Sequence, residues 1–301
     1  MGLFGLGIST SAAAEADPVG DARAAEALGF DFVSASDHPC GSAPTYEVWT
    51  MLTWVAAATS RIRVATRVLG TPYRPPAMVA KMAETLHRFS GGRLILGLGG
   101  GYSDEEFRAF GLGVPSPREK VDGMEEAVQI IRGLWSRPSF TFEGSRYQTF
   151  EADLEPKPER PIPIWLGTYG RRALKITGRL ADGWIPSYGF SPPEQVAVLR
   201  SRVLASAAEA GREVECVYNV PVRVEAGAAA GDGVVAGSAD EVSERLGELG
   251  GLGFTSMNLM PVGPDFRDQA ELLAQKVLPH LRERWGVRAA EMSVIDGTIQ
   301  P

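Results

Sequence analysis

Cysteine is scarce in this sequence of 301 residues, which has only Cys40 and Cys216. The two are far apart and form no Cys-x-x-Cys pair, so the sequence contains neither a disulfide framework nor a zinc knuckle. Only three histidines are present, and none stands at the spacing of a His-x-His or His-x-x-x-His metal motif. We therefore expect no metal site and, by default, a reducing compartment, the cytoplasm.

Positive charge and long apolar runs are also lacking. The sequence has 30 Lys and Arg against 37 Asp and Glu, which gives a net charge of -7. This acidic balance, without a basic tail or stripe, gives no electrostatic reason to bind nucleic acid or an anionic membrane surface. No stretch reaches the ~18 uninterrupted apolar residues of a transmembrane helix. The sequence therefore predicts a protein that acts on a small molecule, with neither nucleic acid nor a membrane as partner.

Short apolar runs alternate along the chain with longer segments of helical periodicity. Eight of the short runs are typical of strands, at residues 4–8, 32–35, 62–66, 94–98, 164–166, 182–185, 216–224 and 256–260. Strands that are separated by crossover helices lie parallel. Eight such units predict an α/β fold, a (β/α)8 TIM barrel that forms one domain over residues 1–301. An open doubly wound sheet is the alternative, but residues 9–12 are not the Gly-rich phosphate turn it needs.

One segment departs from this alternation. It follows a long amphipathic helix, predicted at residues 121–135. Residues 139–147 alternate between apolar and polar around Glu143 and Gly144, which predicts a small β-hairpin. We place this hairpin in an insertion at about residues 136–160, between the fourth and fifth strand–helix units.

Asp37 and His38 follow the second predicted strand, where the loops of a barrel build its active site. A carboxylate beside an imidazole can orient a ligand and move a proton near neutral pH. A simple turn is the alternative, because Asp and Pro are common turn residues. The position at a strand end favours catalysis. Adjacent side chains of extended backbone point to opposite sides, so we expect Asp37 to bond a cofactor rather than the imidazole.

Glycine-rich segments follow the third and fourth predicted strands. The residues concerned are Arg67, Val68, Gly70, Gly99, Gly100, Gly101 and Tyr102. Backbone without side chains can approach a flat ligand closely, although a tight loop is an equal alternative. The run is not a Rossmann fingerprint, because Tyr102 occupies its last glycine position and the acidic helix start that follows disfavours phosphate.

An anion site is suggested after the fifth predicted strand. Gly167, Thr168, Arg171 and Arg172 combine permissive backbone, a hydroxyl and two guanidiniums at a helix start. This combination suits a phosphate, although two solvated arginines are an equally good interpretation.

Taken in order, these segments resemble the bacterial luciferase-like superfamily of flavin and deazaflavin oxidoreductases. The resemblance covers residues 18–190 and resumes at 237–242, with the motifs Ser36-Asp37-His38-Pro39, Ser90-Gly91-Gly92-Arg93, Gly97-Leu98-Gly99-Gly100-Gly101-Tyr102 and Ala181-Asp182-Gly183-Trp184. It implies a (β/α)8 barrel with an insertion, a homodimer, and a flavin-like ring bound at the carboxyl-terminal mouth. It also implies a non-prolyl cis peptide at the end of the third strand, which we place between Arg67 and Val68.

The Asp-His pair is most similar to the branch that uses coenzyme F-420, a deazaflavin. That resemblance implies hydride transfer between F-420 and an organic small molecule, with His38 as proton donor or acceptor and Asp37 facing the ring. Sugar-phosphate dehydrogenases of this branch carry a Glu directly after the Gly-rich strand, where this sequence has Tyr102, so glucose 6-phosphate is disfavoured. The alternatives are an FMN-dependent monooxygenase that uses reduced flavin and O2, and a non-catalytic cofactor-binding or partner subunit.

Overall fold

The structure is a computed structural model that describes residues 2–228, 231, 233–263 and 265–285. Residues 286–301, the end of the predicted domain, lie outside the described residues. The strands are β1 (Phe4–Gly7), β2 (Phe32–Ala35), β3 (Arg63–Thr66), β4 (Leu69–Gly70), β5 (Leu94–Gly99), β6 (Phe140–Glu143), β7 (Gln148–Ala152), β8 (Ile164–Leu166), β9 (Gly183–Trp184), β10 (Glu215–Val224), β11 (Val235–Gly237) and β12 (Ser256–Pro261).

Helices connect these strands. They are α1 (Pro18–Ala27), α2 (Val48–Ala58), α3 (Pro76–Phe89), α4 (Asp104–Ala109), α5 (Pro117–Ser136), α6 (Arg171–Leu180), α7 (Pro193–Glu209), α8 (Ala239–Gly251), α9 (Phe266–Leu272) and α10 (Leu278–Arg284). A 3-10 turn covers Thr71–Tyr73, and a π-helical segment, Leu273–Val277, joins α9 to α10. No helix within the described ranges has both the length and the apolar character to cross a membrane.

Eight parallel strands close into a barrel. They pair in the order β1, β2, β3, β5, β8, β9, β10 and β12, and β12 pairs back with β1. Every residue of β2, β5 and β8 is buried, as expected for strands covered on both faces. The predicted (β/α)8 TIM barrel is therefore confirmed.

The predicted hairpin is confirmed as well. Strands β6 and β7 pair antiparallel between the fourth barrel strand, β5, and the fifth, β8. Two short strands were not predicted: β4 pairs with β5, and β11 pairs with β10. They have two and three residues, too few to give a periodicity in the sequence.

Helix α5 begins earlier than the predicted residue 121. Ser116 caps it through a reciprocal pair of bonds with Glu119, and Pro117 occupies the first helical position. The first turn is polar and exposed, so it does not contribute to the apolar periodicity on which the prediction depended.

Candidate active site

A cavity of about 330 Å³ opens at the carboxyl ends of the barrel strands. Its walls come from the segments that follow β2, β3, β5, β8 and β9. Ten of the predicted site residues line it: Asp37, His38, Arg67, Val68, Gly70, Gly99, Gly100, Gly101, Tyr102 and Gly167. The structure thus brings together residues that the sequence predicted separately from four strand ends.

Val68 lies against a bare stretch of backbone on one wall of the cavity. A Cβ atom added to Gly99 would lie 2.7 Å from Val68 Cγ2, and one added to Gly167 would lie 3.2 Å from it. The peptide bond between Arg67 and Val68 is cis, which confirms the expectation from the resemblance. Glycine at these two positions lets the backbone approach the valine and leaves a wall without protruding side chains, suited to a flat ring.

The Asp37 carboxylate is hydrogen-bonded to other groups of the protein. Its carboxylate accepts bonds from the Gly70 amide (3.0 Å) and from both terminal nitrogens of Arg74 (2.8 and 3.1 Å). Arg74 also pairs with the more exposed Glu47 (2.6 Å). Burial lowers the pKa of Arg74, but its bonds to Asp37 and Glu47 outweigh burial and raise it. Asp37 therefore holds the β4 segment beside the cavity, and no motif in the sequence indicated Arg74 as its partner.

His38 is bonded to a carboxylate, Glu106, that no motif in the sequence indicated. Its Nδ1 atom lies 3.0 Å from Glu106 Oε1, while Tyr73 Oη donates to Glu106 Oε2. Burial and the bond to Glu106 raise the pKa of Tyr73, so its hydroxyl stays protonated. An ionised carboxylate only accepts, so Nδ1 carries the proton and Nε2 is left to exchange one.

A helix cap was the available signal for Glu106. Ser103 stands three residues before Glu106 in the Ser-x-x-Glu pattern of a capping box, and its hydroxyl accepts from the Glu106 amide (3.3 Å). The Glu106 side chain does not return that bond; it reaches the imidazole instead. The Ser-x-x-Glu spacing therefore predicts a helix start, but only the structure shows that Glu106 bonds to His38.

Three aromatic rings form one side of the cavity mouth. Phe190 stands between Tyr102 and Tyr169, with ring centroids 5.5 and 5.7 Å away. Tyr102 is 74% exposed and Phe190 57% exposed, so both side chains are available to a ligand. Tyr169 and Phe190 were not predicted as site residues, since isolated aromatics in a loop carry no spacing signal.

The remaining predicted residues lie outside the cavity lining. The Thr168 hydroxyl is buried and bonds to Thr177 (2.7 Å), while Arg172 pairs with Asp122 (2.5 Å) and Glu125 (3.2 Å) on α5. Arg171 is exposed at the first residue of α6. The predicted phosphate site thus retains Gly167, the amides that open α6 and Arg171, whereas the Thr168 and Arg172 side chains have protein partners.

The known proteins that are similar to this chain include F-420-dependent and FMN-binding enzymes. The F-420-dependent glucose-6-phosphate dehydrogenase of Kineococcus radiotolerans is 40% identical over 172 residues, which are 55% of this chain and 50% of that protein. The chain thus matches about half the length of this relative.

Two solved structures share the fold. An F-420-dependent secondary alcohol dehydrogenase in complex with an F-420-acetone adduct has a TM-score of 0.83 at 20% identity, covering 94% of this chain and 100% of that one. The FMN complex of the oxygenating constituent of 3,6-diketocamphane monooxygenase from Pseudomonas putida has a TM-score of 0.74 at 16% identity, covering 93% and 99%. The family model for luciferase-like monooxygenases matches residues 6–232. Since that match covers most of the sequence, this chain belongs to the luciferase-like monooxygenase family.

Proposed function

We propose that this protein is an oxidoreductase that transfers a hydride between coenzyme F-420 and an organic small molecule. The observation that carries the proposal is the pair of His38 and Glu106 beside a glycine-walled cavity at the mouth of the barrel. The F-420-dependent dehydrogenases among the similar proteins support the choice of cofactor.

The cavity fits such a cofactor. Val68, Gly99 and Gly167 would hold the ring, because their wall has no protruding side chains. When bound, F-420 supplies a ring carbon that gives or accepts hydride. His38 Nε2 gives or takes the proton on a neighbouring heteroatom of the substrate, and Glu106 keeps the imidazole in the tautomer that allows this. Tyr102 and Phe190 give the substrate an aromatic contact surface at the mouth.

Comparing the affinities of the protein for the two cofactors tests the proposal directly. The purified protein is titrated with F-420 and with FMN, and binding is followed by fluorescence. We expect selective binding of F-420. Selective binding of FMN would instead favour a monooxygenase that uses reduced flavin and O2, the second candidate, which is supported by the shared fold of the camphane monooxygenase. Affinity for F-420 without turnover on a broad panel of substrates would support a non-catalytic subunit.

Replacing Glu106 with glutamine tests the positioning role. We expect kcat to fall ~10- to 100-fold, the usual cost of losing a partner that orients a functional histidine, with little change in F-420 affinity, because the amide no longer fixes the imidazole tautomer. The measurement is a double-mutant cycle with His38→Ala: once the imidazole is absent, Glu106→Gln should cost almost nothing more. Additive losses in the double variant would mean that Glu106 acts independently of His38.

Replacing Arg171 with alanine tests the phosphate site. We propose that the cofactor phosphate is bound by Gly167, the amides opening α6 and Arg171, since helix N-termini and guanidiniums both favour a dianion. The variant should bind F-420 about 1–3 kcal/mol more weakly in the fluorescence titration. The matched change Arg172→Ala should have a smaller effect, because Arg172 is already paired with acidic residues of α5. Unchanged affinity in both variants would identify two solvated arginines.

We further propose that the chain forms one domain and acts as a homodimer in the cytoplasm. The resemblance to the luciferase-like family is what supports the dimer, and Trp54 on α2 (71% exposed) and Phe89 on α3 (84% exposed) are side chains whose burial a dimer interface can be tested for. Light scattering on the purified protein measures the oligomeric state.

A further inference from the structure

A chain of hydrogen bonds crosses the barrel interior beneath the cavity. Arg67 Nε donates to Ser34 Oγ (3.2 Å), and Ser34 Oγ donates to Asn258 Oδ1 (2.9 Å). Asn258 Nδ2 then donates to Asn219 Oδ1 (2.6 Å), and Asn219 Nδ2 to Ser187 Oγ (2.9 Å). Ser34, Asn219 and Asn258 are buried, at most 2% exposed. In every bond of this hydrogen-bond network, the donor lies on the Arg67 side and the acceptor on the Ser187 side.

Because the bonds run in this direction, the hydrogen-bond network has unused donor hydrogens where it reaches the cavity. Ser187 Oγ already accepts, so its own hydrogen is available to the cavity that Ser187 lines. Tyr169 Oη accepts from the Ser187 amide (3.0 Å), so its hydrogen is free as well, and burial raises the pKa of Tyr169 and keeps it protonated. The two terminal nitrogens of Arg67 donate to no protein atom among the described residues. Three side chains thus present donors to one cavity.

Arg67 differs in its ion pairing from the other charged side chains near the cavity. Of the carboxylates near the cavity, Asp37 is paired with Arg74, and Glu106 is bonded to His38 and Tyr73. Within the described part of the chain Arg67 has no carboxylate partner within ion-pair distance. Burial lowers the pKa of Arg67 to about 10, so the side chain is still charged at neutral pH. A desolvated cation without a counter-ion is costly, and an anionic ligand group removes that cost.

We propose that Arg67, Tyr169 and Ser187 form a subsite for the carboxylate of the organic substrate, which makes the substrate an organic acid. A carboxylate offers only acceptors and therefore matches a set of donors. The aromatic wall of Tyr102 and Phe190 gives the rest of the substrate an apolar contact surface. This inference rests on the proposed function and narrows its substrate class. Acceptor oxygens on the cofactor ring are the other possible source of the same chemistry.

Calorimetric titration at neutral pH with two small aromatic probes distinguishes a substrate carboxylate from the oxygens of the cofactor ring as the group that these donors bind. Sodium benzoate and benzamide have the same ring and differ in charge, and each is titrated into the protein with and without bound F-420. We expect benzoate to bind the F-420-loaded protein at least ~10-fold more tightly than benzamide, the worth of a charged hydrogen bond. Equal affinities would overturn the proposal. So would benzoate binding that F-420 displaces, because the donors would then serve the cofactor.

Substitutions at Arg67 test whether this side chain causes the preference for benzoate over benzamide. Arg67→Met should abolish the preference for benzoate, Arg67→Lys should keep part of it, and F-420 affinity should be unchanged in both. Arg202→Met, which removes an exposed charge on α7, is the matched control and should leave the preference intact. Loss of F-420 affinity in Arg67→Met would assign the donors to the cofactor. The comparison of probes on the unaltered protein holds even where a variant fails to fold. A preference for benzoate in a protein that does not bind F-420 would refute the proposed function and leave the subsite standing.

Discussion

Replacing His38 with alanine is expected to lower turnover ~100- to 10,000-fold, the usual contribution of a general acid or base. A hydride that joins or leaves a carbon needs a matching proton on a neighbouring heteroatom, and His38 lines the cavity with Nδ1 bonded to Glu106, which leaves Nε2 to exchange that proton. The methyl group of alanine cannot supply that proton. The fold and F-420 affinity should be preserved, because His38 is half exposed and its imidazole bonds to a single side chain.

Rate and cofactor affinity are measured on the same His38→Ala preparation. His280→Ala is the matched control: that imidazole is exposed on α10, contacts the Lys276 carbonyl, and should be replaceable without loss of turnover. Full activity in His38→Ala would identify a turn residue beside Pro39. Lost F-420 affinity with normal turnover at saturation would instead make His38 a cofactor ligand.

Replacing Asp37 with asparagine is expected to lower the free energy of unfolding by about 3–5 kcal/mol. The Asp37 side chain is 1% exposed and that of Arg74 15%, so the substitution leaves a largely buried guanidinium without its main counter-charge. The same change weakens the bond that holds the Gly70 amide. Urea denaturation followed by tryptophan fluorescence measures the loss.

The second carboxylate on Arg74 provides the control. Glu47 contacts the same guanidinium but its side chain is 42% exposed, so Glu47→Gln should cost less than about 1 kcal/mol. Glutamine keeps one of the two oxygens, so it still accepts from the amide of Trp49 or of Thr50 at the start of α2. Equal losses in the two variants would show that burial does not decide the strength of these pairs.

The barrel could be predicted because its physical cause is local. A strand covered on both faces, such as Leu94–Gly99, is a continuous apolar run, and the spacing of eight such runs leaves few topologies. The positions of Asp37 and His38 could also be predicted, since the residue after a strand must face the mouth of the barrel.

The partners of these residues could not be predicted, because they depend on contacts between distant segments. His38 and Glu106 are 68 residues apart, and Asp37 and Arg74 are 37 apart. The direction of a loop side chain also depends on contacts with other segments. The Thr168 side chain points inward, where its hydroxyl bonds to Thr177 on α6. Spacing within one segment says nothing about either.

The short helix α4 lies outside the repeated strand–helix units, in the same loop as Tyr102. This single segment supplies both Glu106, which bonds to the imidazole, and Tyr102, one of the three aromatic rings at the cavity mouth. Because loops change more readily than the strands that hold them, a transplant of residues 100–116 between relatives would exchange proton handling and substrate fit in one step. Residues 100–116 therefore couple the two properties, because one loop carries both the carboxylate that bonds His38 and a ring at the cavity mouth.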